Sequence, residues 1–440
     1  MTARLRKWLS LLGDTFWLIP AAMVLAGVFG AVGLVSLDRS GLVPEWMIDN
    51  AWLYNGGGTG ARTLLGAVAA SAIGVAGTVF SITIAALSLA AGQMGPRLLR
   101  NFTRDRGNQF SLGAFVGTFS YALMVLRSVR TQDEGAFTPH LSLTVGILLA
   151  FVCVATLVYF VDHMASRINV DTVLGLVGED VRAAIDRLTT EREQPAPPAD
   201  AFWRGASVVK DPRRGYLQEI DGEGLADWAA RESTVLRLLV RPGDYVFPGA
   251  PIAVMTRPAE GADAAIRNAT ALGPTRMSSS DLEFAIRQLV EVAVRALSPG
   301  INDPHTAMSV LDQLGGALCD IAPKHLPSGV YLRDGHAALV IPSFEYDGLV
   351  DTMFHMIRQN GRGHAAVLIR MLEVLIAVLG CEREPRRVAA LRRHADLIMG
   401  DAERSIETPA DLADLRKRRA AFDRVDELGA AGRIGAYGST

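Results

Sequence analysis

An uncharged run from Leu64 to Ala91 limits what this chain can fold into more than any other feature of the sequence. As a helix its 28 residues would extend ~42 Å, longer than the ~30 Å hydrocarbon layer of a bilayer. Small and hydroxylated residues recur at alternating steps of three and four, which places them on one stripe of the helix. We call this stripe the seam; its members are Ser71, Gly74, Thr78, Ser81, Ala85, Ser88 and Gly92. Such a stripe packs closely against a neighbouring helix or faces water, so the run predicts a membrane helix that is not alone in lipid.

Three other uncharged stretches are long enough, or nearly so, to cross the hydrocarbon layer. We therefore predict four transmembrane helices, at about 16–37, 64–91, 110–126 and 141–161. Basic residues gather before the first helix and between the second and third, at Arg4, Arg6, Lys7, Arg97, Arg100, Arg104 and Arg106. Cytoplasmic segments carry such an excess, so both termini are expected on the cytoplasmic side.

Composition and motifs exclude several classes of function. Only 20% of residues are charged and the mean hydropathy is +0.23, which is typical of a mixed membrane and soluble protein. The net charge of −2 argues against a nucleic-acid partner. Cys153, Cys319 and Cys381 lack metal-ligand spacing, so we predict free, buried thiols and no metal or other cofactor. Phosphate-loop, HExxH and GxSxG motifs are absent from the sequence, and we expect no enzyme activity.

Polarity changes after the fourth predicted span, and the chain organises into further segments. An apolar stripe continues to Leu188 and predicts a helical stalk that prolongs the span, until prolines at 195, 197 and 198 mark a linker. The expected division is a transmembrane domain at 1–163, the stalk and linker at 164–200, a small β module at 201–260, a helical cytoplasmic domain at 261–382, and Arg-rich C-terminal helices at 383–440.

The β module is predicted from two strands, Gly215–Ile220 and Ser233–Val240, followed by turns at Pro242-Gly243-Asp244 and Pro248-Gly249. This stretch resembles half of a lipoyl or biotinyl carrier barrel. The hairpin tip lacks the lysine that would carry the cofactor, so the resemblance implies a structural barrel-like module. The fold class expected is thus four membrane helices joined to a cytoplasmic α+β region with this module and a helical domain.

Helices follow from Ser280 onward. Apolar periodicity predicts them at 281–297, 348–359 and 364–379, and another begins with Asp303 as N-cap and Pro304 at its first position. Three polar residues lie together at the start of that helix, where backbone N–H groups attract anions: Asn302, Asp303 and His305. They are a candidate site for a ligand or partner, although a capped turn explains them without function.

The seam admits two interpretations. In the first, its hydroxyls bond to carbonyl groups of their own helix and the small surface only packs, with Gly113 and Gly117 of the third span as its partner. In the second, copies from several subunits surround an axis, and the seam lines a conduit. The inner mouth would then carry Gln93, Arg97, Arg100 and Arg104. Its three arginines would raise the local anion concentration, although the cytoplasmic excess of basic residues alone also predicts them.

Two other polar groups admit both a functional and an ordinary explanation. Asp162 and His163 at the inner end of the fourth span form a proton-linked switch or are ordinary interfacial residues. The run Arg416–Arg419 is a solvated helix face or binds the anionic leaflet of the bilayer.

Two blocks of sequence, 77–97 and 295–307, are similar to a family of bacterial predicted membrane proteins, domain of unknown function 2254. The resemblance implies an inner-membrane location and a shared architecture, and it brings no reaction. Our leading hypothesis is a homo-oligomeric channel for small ions, with the second helix at the axis and a cytoplasmic gating domain. The alternative is a membrane-anchored sensor or scaffold whose cytoplasmic domain binds a ligand or partner. A transporter is a weaker third, because the spans carry neither internal charges nor inverted repeats.

Overall fold

The computed structural model describes residues 16–40, 53–94, 105–130, 137–276 and 281–428. The chain divides into two compact units, of which one holds the four candidate spans and the other is formed mainly by the residues from Val170 onward. We describe the two units separately, as the membrane unit and the C-terminal unit.

The described part of the membrane unit contains four helices that are long and apolar enough to cross a bilayer, as the uncharged runs predicted. Its helices are α1 (Leu18–Arg39), α2 (Gly58–Met94), α3 (Arg106–Ser128) and α4 (His140–Ile168). The 37 residues of α2 make it ~55 Å long, well beyond the hydrocarbon thickness. The break expected at Gly95-Pro96 lies outside the described residues.

Glycines bring α1 and α3 into close backbone contact. A Cβ added to Gly27 would lie 2.5 Å from the carbonyl oxygen of Gly117, and one added to Gly113 would meet Met23 and Pro20. Our prediction that Gly113 and Gly117 pack against the seam is therefore wrong, because their partner is the first span. Paired glycines four apart allow close approach, but the spacing says nothing about which helix approaches.

The N-terminus of α4 is capped by a residue from another span. Asp38 accepts hydrogen bonds from the backbone N–H groups of Leu141 and Ser142, both at 3.0 Å, and from the Ser142 hydroxyl at 2.6 Å. The first N–H groups of a helix have no partner within it, so this carboxylate satisfies them and joins the ends of α1 and α4.

The C-terminal unit begins with α5 (Val170–Leu188), which is separate from α4. At Asn169 the backbone is extended, with ψ at 126°. Our prediction that the helix of the fourth span continues without a break into the stalk is therefore wrong. The predicted apolar stripe nevertheless has a role, since Val173, Val177, Val181 and Ile185 are buried. An apolar periodicity that runs through such a break cannot reveal one extended residue between two helices.

Within the described residues, eight strands form two open sheets. They are β1 (Ser207–Lys210), β2 (Gly215–Ile220), β3 (Leu236–Leu238), β4 (Tyr245–Val246), β5 (Pro251–Met255), β6 (Thr270–Gly273), β7 (Val330–Arg333) and β8 (His336–Val340). The larger sheet has the order β1-β5-β3-β8-β7 and the smaller one β4-β2-β6. The described residues contain no closed barrel, so the barrel-like module is not confirmed. Pairing of β3 with β8 is parallel and spans about a hundred residues, which local strand patterns do not indicate.

Eight more helices complete the described part of the C-terminal unit. They are α6 (Gly222–Arg231), α7 (Ala262–Ala269), α8 (Leu282–Ala296), α9 (Pro304–Ile321), α10 (Tyr346–Gly361), α11 (Ala365–Cys381), α12 (Pro385–Ser405) and α13 (Pro409–Glu427). The stripe of α5 packs on α8 and α9. Asp303 caps α9 as its sequence position predicted, by accepting from the backbone N–H of Thr306. Asp281 caps α8 in the same way, by accepting from the backbone N–H of Phe284.

Candidate functional site

The seam lies on the surface of the membrane unit. All seven of its residues, from Ser71 to Gly92, are exposed. The opposite face of α2 is buried against α3 and α4, and it is also made of small or apolar residues, namely Ala61, Leu65, Ala69, Ala72, Ala76, Val79, Thr83 and Ala86. At ~100° per residue the midpoints of these two faces lie about 160° apart around the helix. The membrane unit therefore packs through one small-residue face of α2 and presents the other outward.

Three seam hydroxyls bond within their own helix. Ser71 donates to the carbonyl oxygen of Ala67 at 2.7 Å, Thr78 to that of Gly74 at 3.2 Å, and Ser81 to that of Gly77 at 2.9 Å. These bonds satisfy the hydroxyl protons and leave each oxygen with acceptor capacity toward the outside. An uncharged, acceptor-lined stripe results, which is compatible with lipid, with a second helix or with water.

Large apolar side chains border the seam on both sides. Ile73, Phe80 and Ile84 are exposed along one edge, and Ile82 and Leu89 along the other. Of the predicted inner mouth, Gln93 lies within α2, whereas Arg97, Arg100 and Arg104 lie outside the described residues. The mouth therefore stays a prediction.

His163 pairs with Asp105 rather than acting with its sequence neighbour Asp162. The Nε2 atom of His163 lies 2.6 Å from the Oδ2 atom of Asp105, and the guanidinium of Arg167 lies 3.6 Å from the same oxygen. Asp105 also caps α3 by accepting from the backbone N–H of Gly107 at 3.0 Å. This buried carboxylate thus joins α3 to α4, which is a packing role the sequence did not indicate.

The turn before α9 has a structural explanation for most of its polar residues. Asp303 accepts from the Thr306 hydroxyl and backbone N–H, and these bonds lower the pKa of its carboxyl group. Asn302 adopts a left-handed backbone conformation with φ at 51°, which asparagine tolerates better than most residues. Asn302 and His305 are exposed, so they remain open to a ligand or partner.

Two cysteines that are far apart in sequence approach each other in the C-terminal unit. Burial, together with a hydrogen bond between its thiol and that of Cys381, raises the pKa of Cys319 to about 12. Cys381 is exposed and Cys319 is half-buried, so our expectation of buried thiols is correct only for Cys153. The Arg416–Arg419 run is largely neutralised in ion pairs, with Arg418 bonded to Glu373 and Arg419 to Asp396 and Asp423.

A cavity of about 810 Å³ opens beside the start of α10 and α12. Arg387 stacks over the ring of Tyr346, with its guanidinium carbon 5.1 Å from the ring centre, and donates to the carbonyl oxygen of Lys324 at 3.0 Å. The Tyr346 hydroxyl is buried without a hydrogen-bond partner in the described part of the chain, and burial raises its pKa. Acidic and basic side chains both line the cavity, so its wall carries charged groups of both signs.

One cluster, formed by Asp351, His355 and His394, was not predicted from the sequence. Asp351 and His355 lie four residues apart on α10, a spacing that places both on one helix face and is visible in the sequence. His394 comes from α12, 43 residues after Asp351, and only the packing of the two helices brings it close. Burial lowers the pKa of His394 to about 4, so its ring is neutral at physiological pH.

Comparisons with known proteins agree with the membrane architecture. A family described as "Predicted membrane protein (DUF2254)" matches residues 13–377. An uncharacterized protein of Mycobacterium tuberculosis strain CDC 1551 is 32% identical over 431 residues, covering 94% of this chain and 81% of the relative. Uncharacterized proteins of Mycobacterium bovis and of M. tuberculosis strain H37Rv show the same identity and coverage. No solved structure matches the chain.

Proposed function

This chain belongs to the DUF2254 family of predicted membrane proteins, and from that premise we propose that it forms a homo-oligomeric channel for small ions in the bacterial inner membrane. Copies of α2 surround the axis with the seam toward the conduit, and the C-terminal unit lies in the cytoplasm and gates it. The single observation that carries the proposal is the outward position of the seam, opposite the face through which α2 packs inside its own subunit.

The residues around the seam support this arrangement. In a ring of helices the side chains bordering the inward stripe contact the neighbouring copies, and Phe80, Ile84 and Leu89 supply apolar surface there. The seam oxygens replace part of the hydration of a passing ion. Without charge along the seam, the walls are weakly selective, and any selectivity arises at the mouths.

Ion flux through liposomes tests the proposal directly. Purified protein should conduct, and Ser81→Leu or Ser88→Leu should reduce the flux because each adds a bulky apolar group to the conduit wall. Ile84→Leu is the matched control, since it changes an exposed apolar residue at the border of the seam while conserving volume. Absence of conductance across voltage, tension and pH ramps, or equal flux in Ser81→Leu and Ile84→Leu, would reject the channel.

A second candidate is a membrane-anchored sensor, favoured by the 810 Å³ cavity with the unpartnered Tyr346 hydroxyl in its wall. Here the seam only joins subunits. Thiol accessibility separates the two functions: single cysteines at Thr78 and Ser81, in a background without native cysteines, react with water-soluble reagents in a conduit. They resist the same reagents where helices merely pack. A cysteine at Ala76, which is 4% exposed, gives the unreactive reference.

A further inference from the structure

The side chains of Asp351, His355 and His394 converge on one point between α10 and α12. The Nε2 atom of His355 lies 3.1 Å from the Oδ1 atom of Asp351, and the Nε2 atom of His394 lies 2.8 Å from the same oxygen. All three ligand atoms are within 4.8 Å of one another. His394 is fully buried, and the centres of the two imidazole rings are 4.9 Å apart.

This arrangement crowds nitrogen atoms from three side chains around one carboxylate oxygen. Arg393 also donates to the Oδ1 atom of Asp351, so that oxygen faces two imidazoles and a guanidinium. A carboxylate oxygen offers about two lone-pair sites. In the described part of the chain the Nδ1 atoms of both histidines are buried without a hydrogen-bond partner, so each ring makes its one polar interaction at this point.

We propose that Asp351, His355 and His394 bind a divalent first-row transition cation, with Zn²⁺ as its best-matched member. A cation between the three atoms replaces the competing protons and is held by two imidazoles and one carboxylate, a donor set that zinc favours. The Arg393 side chain is 45% exposed, which leaves room for its guanidinium to move to the second carboxylate oxygen.

The distances fit this chemistry. Zinc bonds of ~2.0–2.2 Å in tetrahedral geometry separate neighbouring ligand atoms by about 3.3 Å, close to the 3.1 and 2.8 Å between the Nε2 atoms and the carboxylate oxygen. Asp351 and His355 are each about one-third exposed, so solvent reaches one side of the site. Three protein ligands and an open side leave a fourth position for water. A bound cation would also fasten α10 to α12.

Zinc binding to the full-length protein in detergent tests the proposal. Protein carrying a purification tag without histidine is stripped with a chelator and titrated with Zn²⁺ against a colorimetric chelator. We expect one Zn²⁺ per chain, and visible absorption from Co²⁺ bound at the same stoichiometry. His355→Gln removes a ligand that is only partly buried, and it should weaken binding beyond the roughly 10- to 100-fold cost of losing an outer-shell partner.

His336→Gln is the matched control, because His336 is an exposed histidine on β8 outside the cluster, and it should bind Zn²⁺ like the unaltered protein. Asp351→Asn provides a second variant if His355→Gln loses the circular dichroism of the folded protein. The proposal is overturned if the unaltered protein takes up no stoichiometric Zn²⁺, or if a folded His355→Gln or Asp351→Asn variant binds it as tightly. The cluster would then be two core histidines that share one acceptor.

Discussion

Replacing Gly27 by alanine tests whether backbone contact between α1 and α3 determines the packing of the membrane unit. The added Cβ would lie 2.5 Å from the Gly117 carbonyl oxygen. Close carbon–oxygen contacts in proteins have distances of ~3.3 Å or more, so relieving this contact requires the two helices to separate by roughly 0.8 Å. Overpacking of this kind costs about 1–3 kcal/mol. The better helix propensity of alanine offsets about 0.8–1.0 kcal/mol, which leaves a net destabilisation of about 0–2 kcal/mol.

Two other glycines on α1 give the matched control. A Cβ on Gly30 or Gly33 meets no heavy atom within 4 Å among the described residues. Gly30→Ala gains the same helix propensity without the clash, so Gly27→Ala should be the less stable of the two by about 1–3 kcal/mol. Circular dichroism during unfolding in mixed micelles with increasing dodecyl sulfate measures the difference. If both variants unfold at the same sulfate fraction, close contact at Gly27 does not determine how α1 and α3 pack.

Three further outcomes follow from the described contacts. Asp303→Ala removes the cap of α9 and should lower the free energy of unfolding, measured by urea denaturation, by about 1 kcal/mol. Asn302→Gly keeps the left-handed turn and should change the free energy of unfolding little. Asp38→Ala removes three hydrogen bonds at the start of α4 and should lower the unfolding midpoint in mixed micelles. With a pKa of about 12, only about 1 in 10,000 Cys319 thiols is ionised at pH 8. Maleimide should therefore label the exposed Cys381 first and react with Cys319 only as the pH rises. Mass spectrometry of the labelled peptides distinguishes the two sites.

Features that depend on a few neighbouring residues were predicted well from the sequence. Uncharged runs revealed the four spans because charges are costly in hydrocarbon. Asp303 was recognisable as a cap because a cap bonds to backbone groups two or three residues away. The strand at Gly215–Ile220 has the bounds its composition predicted.

Features that depend on distant segments were missed. The spacing of Gly113 and Gly117 indicates close approach of another helix, but only the packed helices show that this helix carries Met23. The strand β8 completes the larger sheet only after α8 and α9 have intervened, so the local pattern near residue 240 resembled part of a barrel. His394 reaches Asp351 only because α12 packs on α10. In each case the interacting group can be identified in the sequence, but its partner is determined by the tertiary fold.

The two faces of α2 show which property of the seam bears on function. Ala69, Ala72 and Ala76 form a small face that packs inside the membrane unit, so small size alone does not distinguish the seam. Serine differs from alanine by one oxygen, and that oxygen recurs on the outward face, whereas the inward face carries a single hydroxyl at Thr83. Close packing would be served equally by alanine. A hydroxyl oxygen on the outward face has an advantage over alanine only where it can accept a hydrogen bond from water or from another donor. The environment of the seam therefore decides between a conduit and an anchor.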